Sequence, residues 1–424
     1  METRRLDELC VQITDCPHST PQWLSSGKLV LRNFNIHNGR IDLSNVSYTD
    51  DETFFARNKR ATPIPGDIVM SREAPMGEVA IIPNGFECCL GQRMVLLHPD
   101  ATVCNGKFLM YSLLSPFVQK QIKRSDTTGS VVSNLCIPDL CALEIPYVNI
   151  ERQECIVALL SDIDSKIDNN NAISAELEGM AKDLYDYWFV QFDFPDENGK
   201  PYKSSGGKMV WNEELKREIP EGWEVASFSK CIQSINTGLN PRDNFKLNTG
   251  GTVRYITVKN LTTNGNIDFS SCDFIDNKAR DIVHQRSDIS KGDILFASIA
   301  PLGRCFLIDE SPENWDINES VFSIRPNYTN VTSLFLYMTF MGETFIKTAT
   351  NSSTGSVFKG IRINDLLNMK TIIPALPVLR SFDKQMNPMF TMKSKCSNEI
   401  LELASLRNFL LPMLMNGQVK VKGV

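Results

Sequence analysis

The chain has 424 residues, 42% hydrophobic and 22% charged, an ordinary globular composition with room for two or three domains. A formal net charge of −6 argues against a surface coated for nonspecific polyanion binding. It does not exclude DNA, because attraction to phosphates depends on local basic stripes and partner subunits can carry positive charge.

No run of about 18 apolar residues exists, and Met1-Glu2-Thr3-Arg4-Arg5-Leu6-Asp7 lacks the apolar core of a signal peptide, so a reduced, cytoplasmic protein is expected. The twelve cysteines then read as buried thiols. Cys88 and Cys89 are adjacent, Cys136 and Cys141 are five apart, and Cys10, Cys16 and His18 have no second ligand pair downstream, so no metal site is expected.

In chain order, short apolar runs such as Ala80-Ile81-Ile82 and Met94-Val95-Leu96-Leu97, separated by Asn-Gly, Pro-Gly and Gly-Asp turns, predict strands. Apolar residues at three- and four-residue spacing predict a helix around Phe108–Gln121, and Pro146 closes this region. A long helix follows: Ile156, Ile163, Asn170, Leu177 and Leu184 step by sevens, with Leu159, Ile173, Met180 and Tyr187 three residues on from most of them. Two readings stand for Asn170: a buried seam amide that fixes register, or an amide turned to solvent at a helix break after Asp168-Asn169. The aromatic run Tyr185, Tyr187, Trp188, Phe189, Phe192 and Phe194 comes next, either a helix end tucked into its own domain or a partner-docking patch. A second strand-rich stretch carries a helix around Leu334–Thr348 and closes at Pro374. The last predicted helix has Met389, Cys396, Leu403 and Leu410 by sevens, with Met392, Leu406 and Met413 between, and Pro388 and Pro412 limit its regular length.

The two strand-rich stretches are copies of one unit. Gly66-Asp67-Ile68 through Ala74-Pro75-Met76-Gly77 returns as Gly292-Asp293-Ile294 through Ala300-Pro301-Leu302-Gly303, displaced by 226 positions. Asn38-Gly39 recurs as Asn264-Gly265, Tyr111 as Tyr337, Thr128-Gly129-Ser130-Val131 as Thr354-Gly355-Ser356-Val357, and Asp139-Leu140 as Asp365-Leu366. The period is too long for a solenoid, whose units run about 20–50 residues; it marks a duplicated domain. About forty residues of helix from Ile150 to Phe189 span about 60 Å, so an antiparallel pair of such helices acts as a spacer able to hold two readers one or more turns of B-DNA apart, about 34–36 Å per turn.

Leu184-Tyr185-Asp186-Tyr187-Trp188-Phe189-Val190-Gln191-Phe192-Asp193-Phe194-Pro195, with Gly199-Lys200-Pro201-Tyr202-Lys203 and Ile219-Pro220-Glu221-Gly222-Trp223, resembles the central region of type I restriction-modification specificity subunits. Leu406-Arg407-Asn408-Phe409-Leu410-Leu411-Pro412-Met413-Leu414-Met415-Asn416-Gly417 resembles their C-terminal region, and the duplicated segments resemble their two target recognition domains. The resemblance spans the chain in the family's order. It implies an α/β (α+β) fold: two similar mixed-sheet target recognition domains separated by two long antiparallel coiled-coil helices, with pseudo-twofold symmetry. The expected boundaries are 1–148 and 223–375 for the recognition domains, 149–192 and 376–424 for the spacer helices, and 193–222 for a linker. It also implies a non-catalytic reader of double-stranded, bipartite DNA targets that docks two methyltransferase subunits, with translocase-endonuclease subunits as further partners. AdoMet, ATP and magnesium then belong to those partners and none is bound by this chain.

Within that reading, positions identical in both copies serve scaffold or phosphate contact, since two domains reading different half-sites cannot use the same residues for the difference. Gly66, Asp67, Ala74, Pro75 and Gly77 are expected turn-makers. Thr128, Ser130, Thr354 and Ser356 either offer hydroxyls to phosphates or shape a loop. Polar positions that differ are candidates for base contact: Arg72 against Ser298, Glu73 against Ile299, Glu78 against Arg304, and Gln92-Arg93 against Asn318-Glu319, since arginine suits guanine and asparagine or glutamine suits adenine. Lys120, Lys123, Arg124 and Lys347 form a candidate phosphate strip, with a solvated helix face as the alternative. Tyr185, Tyr187, Trp188, Phe189, Leu410, Leu411, Met413 and Leu414 are the candidate docking residues.

Asn387-Pro388-Met389-Phe390 imitates an amino-methyltransferase motif but lacks its second proline and a glycine-rich partner, and no Walker loop occurs. Asp293 and Glu310 offer material for a nuclease, but Asp293 has a scaffold twin in Asp67. The rival readings are a cytoplasmic two-domain interaction scaffold, which would have no DNA affinity, and a self-sufficient DNA-modifying enzyme, which would act alone.

Overall fold

The computed structural model describes residues 2–125, 134–242, 244–352 and 360–419. Two compact units divide the chain: unit 1 comprises residues 1–170 and 399–424, and unit 2 comprises residues 171–398. No helix among the described residues is long and apolar enough to cross a membrane.

Unit 1 contains strands β1 (Cys10–Asp15), β2 (Lys28–Leu31), β3 (Ser47–Thr49), β4 (Ile68–Ser71), β5 (Val79–Ile81), β6 (Cys89–Leu90) and β7 (Met94–Pro99). An antiparallel sheet is built in the order β1-β7-β4-β5. A second sheet has the order β3-β2-β6, with β2 antiparallel to β3 and parallel to β6. Strand β4 is buried throughout because its two faces feed different cores. Ile68 and Met70 pack with Phe108 and Leu109, while Val69 packs with Leu31 and Ile36. That two-sided burial is why the strand reads as an unbroken apolar run rather than an alternating one. Helix α1 (Gly106–Leu114) starts at Asn105, whose side chain accepts the N–H groups of Lys107 and Phe108. Helix α2 (Ile150–Tyr185) begins in unit 1 and ends in unit 2.

Unit 2 repeats the plan with β8 (Ile232–Thr237), β9 (Val253–Ile256), β10 (Asp273–Ile275), β11 (Ile294–Ala297), β12 (Cys305–Leu307), β13 (Trp315–Ile317), β14 (Val321–Pro326) and helix α3 (Ser333–Met341). Its sheets have the orders β8-β14-β11-β12 and β10-β9-β13, again with one antiparallel and one parallel pair in the smaller sheet. Both Ala-Pro bonds of the duplicated motif, Ala74-Pro75 and Ala300-Pro301, are cis. Helix α4 (Leu376–Met415) begins in unit 2 and ends in unit 1. Residues 193–222, expected as a linker, hold a hairpin of Met209–Asn212 against Arg217–Pro220, and Phe194 and Ile219 enter the core of unit 2.

The displacement between copies is not constant. Leu31 pairs with Leu90 and Ile256 with Ile317, while the Gly91 N–H donates to the Leu31 carbonyl and the Asn318 N–H to that of Ile256. The structural equivalents are therefore Gly91 with Asn318, Gln92 with Glu319 and Arg93 with Ser320, one position away from the pairing expected at 226. Tyr111 and Tyr337 are likewise not equivalent, because α1 and α3 start at Gly106 and Ser333. Met110 is the counterpart of Tyr337: a methyl group added at Gly39 would meet Met110, and one added at Gly265 would meet Tyr337.

The long helices also correct the expected seam. Along α2 the buried positions are Gln153, Ile156, Leu160, Ile163, Ile167, Asn170, Ser174 and Ala181, whereas Ile173, Met180 and, just past the helix end, Tyr187 are exposed. The second row lies four residues after the first, not three. Small Ser174 and Ala181 occupy it, so residue size concealed it and the exposed Ile173 and Met180 imitated it. Along α4, Leu379, Phe382, Met386, Lys393 and Cys396 follow the same spacing. Helix α4 runs through Pro388 and Pro412 without a break. Pro388 is exposed, so water can satisfy the carbonyl its ring leaves free. Asn170 is on the seam: its amide donates to Glu399 Oε2 at 2.9 Å, and Lys166 pairs with the same carboxylate at 2.5 Å. Lys166 and then Asn170 hold the Glu399 carboxyl below its usual range.

Candidate nucleic-acid interface

The parallel strands β2 and β6 end side by side, and the residues that follow them, Arg32 and Gly91-Gln92-Arg93, share one edge of unit 1. The Arg32 guanidinium lies 4.8 Å from the ring centroid of Trp23 and 4.5 Å from that of Phe34. Its Nη1 donates to Ser47 Oγ at 3.4 Å. Gln92 donates to the His18 carbonyl and to Thr20 Oγ1. Arg93, in the left-handed region at φ 67°, pairs through Nε with Glu73 Oε2 at 3.2 Å. Asn33 donates to the Ala74 carbonyl at 2.7 Å, tying this edge to the Gly-Asp-Ile motif.

The corresponding edge of unit 2 follows β9 and β13 and carries Thr257, Asn318, Glu319 and Ser320. Thr257 Oγ1 donates to Asn260 Oδ1 at 2.9 Å, Asn318 Oδ1 accepts the Ser320 N–H at 3.1 Å, and Glu319 Oε1 accepts from Asn240 at 2.7 Å. Ser298, the twin of Arg72, donates to the Ser320 carbonyl at 2.7 Å. The Arg304 side chain has no hydrogen-bond or ion-pair partner among the described residues, and its Nε is buried, while its carbonyl accepts the Ala297 N–H. Its twin Glu78 accepts the Asn38 N–H at 2.9 Å.

Arg72 is not at this edge as a free reader. It is 8% exposed, its Nη1 meets Asp15 Oδ1 at 2.5 Å, and its Nε donates to the Leu135 carbonyl at 2.8 Å. Removing it would break an internal clamp, so as a base contact it is corrected to a structural residue. Asp67 and Asp293 are internal too, each about 1% exposed and accepting an N–H from the residue three positions earlier, Ile64 and Ser290. Lys120, Lys123 and Arg124 are exposed on the helix Pro116–Arg124 without an ion-pair partner among the described residues, whereas Lys347 pairs with Glu343 at 3.6 Å. Thr128, Ser130, Thr354 and Ser356 lie outside the described residues. The Asn387-Pro388-Met389-Phe390 segment sits inside α4.

Four of the eight expected docking residues, Trp188, Phe189, Leu411 and Leu414, are buried, and Tyr187 is exposed. Trp188 is 2% exposed and Phe189 is buried; both pack on Phe382, with Phe189 also against Phe335 and Trp223. Burial pushes the Tyr185 phenol up to about 12, and its hydroxyl lies 3.1 Å from Thr339 Oγ1. Tyr185, Phe189 and Trp223 line a cavity of about 970 Å³ within unit 2. Leu411 and Leu414 are buried in unit 1, with Leu410 packed against the same core, and Met413 is half-buried. The helices also leave other apolar surface open: Met180 is 46% and Leu406 45% exposed, at positions 226 apart. Phe409 is exposed one turn beyond Leu406. The signal for these residues was already present as large apolar side chains off the buried rows, but only burial separates the rows.

The family model for the type I restriction modification DNA specificity domain matches residues 1–179 and 220–387. The chain is 26% identical over 357 residues to the type I restriction enzyme MjaIX specificity subunit of Methanocaldococcus jannaschii, covering 84% of this chain and 78% of that protein. It is 21% identical over 413 residues to the type I restriction enzyme HindI specificity subunit of Haemophilus influenzae, covering 84% and 86%. The crystal structure of the type I restriction-modification system S subunit from M. genitalium superposes with a TM-score of 0.57 at 17% identity, covering 97% of this chain and 95% of that one. With the family model matching both copies of the duplicated unit, the chain belongs to the type I restriction-modification DNA specificity family.

Proposed function

We propose that the chain reads an asymmetric, bipartite DNA target for a type I restriction-modification complex, one half-site per unit, and has no catalytic activity of its own. The carrying observation is that the two units keep the same strand orders and the same buried aspartate turn, while the residues after their parallel strands differ in charge, size and hydrogen-bonding pattern. A shared scaffold with divergent edges is what two readers of different half-sites require.

Docking of two methyltransferase subunits, with restriction subunits as further partners, is supported by the paired exposure of Met180 and Leu406 on equivalent helical positions. AdoMet, ATP and magnesium belong to the partners in this reading. Co-expression with a type I methyltransferase subunit from the same source, followed by mapping of N6-methyladenine, tests it. A two-part motif present only when both chains are expressed is the expected result. Methylation by this chain alone would favour a self-sufficient enzyme, and a pair that forms without methylating or binding DNA would favour an interaction scaffold.

A further inference from the structure

We propose that Arg32, whose guanidinium lies over the rings of Trp23 and Phe34, is the base-reading side chain of unit 1, and that the equivalent place in unit 2 is taken by Thr257, whose hydroxyl proton is already given to Asn260 Oδ1; this rests on the functional reading above. The guanidinium carbon lies within cation–π distance of both rings, 4.8 Å from the centroid of Trp23 and 4.5 Å from that of Phe34. Nε and Nη2 have no protein acceptor among the described residues, and Nη1 makes only the 3.4 Å contact to Ser47. A planar fork held beside two rings, with its Nε and Nη2 donors uncommitted, fits the paired acceptors on the major-groove edge of guanine. Trp23 is 41% exposed, so the stack lies at the surface rather than in a core.

The copies show that this place is built around the side chain it carries. A Cβ at Gly91 would come within 3.1 Å of both Arg32 Cγ and the Leu31 carbonyl oxygen, tighter than most such contacts, so a side chain there requires the arginine to give by a few tenths of an ångström. In unit 2 the two backbone partners are the same, but Thr257 is short and Asn318 occupies the glycine's position. The pair Arg32 with Gly91 thus exchanges for Thr257 with Asn318, two alternative fillings of one socket. Nearby, Arg93 with Glu73 and Gln92 with His18 and Thr20 are satisfied internally and rank below Arg32 as readers.

The test uses the full chain co-expressed with its methyltransferase partner, mapping methylated motifs for wild type, Arg32→Ala, Arg32→Lys and Thr257→Val. Loss of a guanine preference at one position, by about five- to a hundredfold, is expected for both Arg32 variants, confined to one half-site. Thr257→Val is expected to alter only the other half, and in each variant the half-site that stays unchanged shows that the protein is folded. If Arg32→Ala abolishes methylation, Arg32→Lys decides: a relaxed position supports the assignment, and an unchanged motif overturns it. Both half-sites unchanged in Arg32→Ala overturns it as well. A wild-type pair that yields no bipartite motif sinks the functional reading itself.

Discussion

His98 and Arg325 occupy the same position of equivalent strands, and each faces the buried aspartate of its Gly-Asp-Ile turn. His98 Nδ1 lies 2.5 Å from Asp67 Oδ1, while Arg325 donates from Nε and Nη2 to the two oxygens of Asp293 at 2.9 Å each. The Asp293 hydrogen bond, with Asp288 adding, raises the Arg325 guanidinium further above its usual range. Arg325→Ala leaves a buried carboxylate with hydroxyl and backbone partners only, and is expected to cost about 2–4 kcal/mol. Urea denaturation of the variant checks this; a cost below about 1 kcal/mol would show that Asp293 does not depend on its cation.

In unit 1 the carboxylate of Asp164 on α2 gathers Tyr111 from α1 at 2.6 Å and Arg407 from α4 at 2.8 Å. Arg40, beside the Asn-Gly turn, reaches the Asp164 carbonyl at 3.3 Å and pairs with Asp168. Unit 2 makes the corresponding tie differently: Lys393 donates to the Asn264 carbonyl at 2.8 Å and pairs with Glu178 at 3.0 Å. Asp164→Ala strands a half-buried arginine and a phenol together, so a loss of about 1–3 kcal/mol is expected, against about 1 kcal/mol for Tyr111→Phe. Equal losses in the two variants would remove Arg407 from the account.

Burial pushes the Asp383 carboxyl up to about 6, although the Thr332 hydroxyl, which caps α3, donates to it at 2.9 Å and opposes the shift. The folded state therefore holds this proton more tightly than the unfolded chain, whose carboxyl titrates near about 4. That contribution favours the fold below about pH 4 and is lost as pH rises through about 6. Asp383→Asn keeps an acceptor for Thr332 without the charge and is expected to add on the order of 1–2 kcal/mol at pH 8 and almost nothing near pH 4. Thermal midpoints measured at both values decide it, and a gain of the same size at both would contradict the cause.

Met180→Glu and Leu406→Glu place a charge on apolar side chains that are already about half exposed. Thermal stability is expected to change by less than about 0.5 kcal/mol, while co-purification with a methyltransferase subunit falls at least about tenfold. Retained co-purification in both variants would remove this surface as the docking site.

Residues close together in sequence made much of the molecule legible. The Gly-Asp-Ile and Ala-Pro repeats announced a duplicated unit, alternating turns and apolar runs announced strands, and the heptad at Ile156, Ile163 and Asn170 announced a seam, because each pattern is written within a few residues of itself. Tertiary structure alone decided which second row the helices bury, since Ser174 and Ala181 qualify by being small enough to approach rather than by being apolar. It also decided that Arg72 is clamped by Asp15 and Leu135 while Arg32 keeps its donors, and that Gly91 rather than Gln92 matches Asn318. Burial and pairing depend on chain segments tens of residues apart, whose meeting no local period encodes.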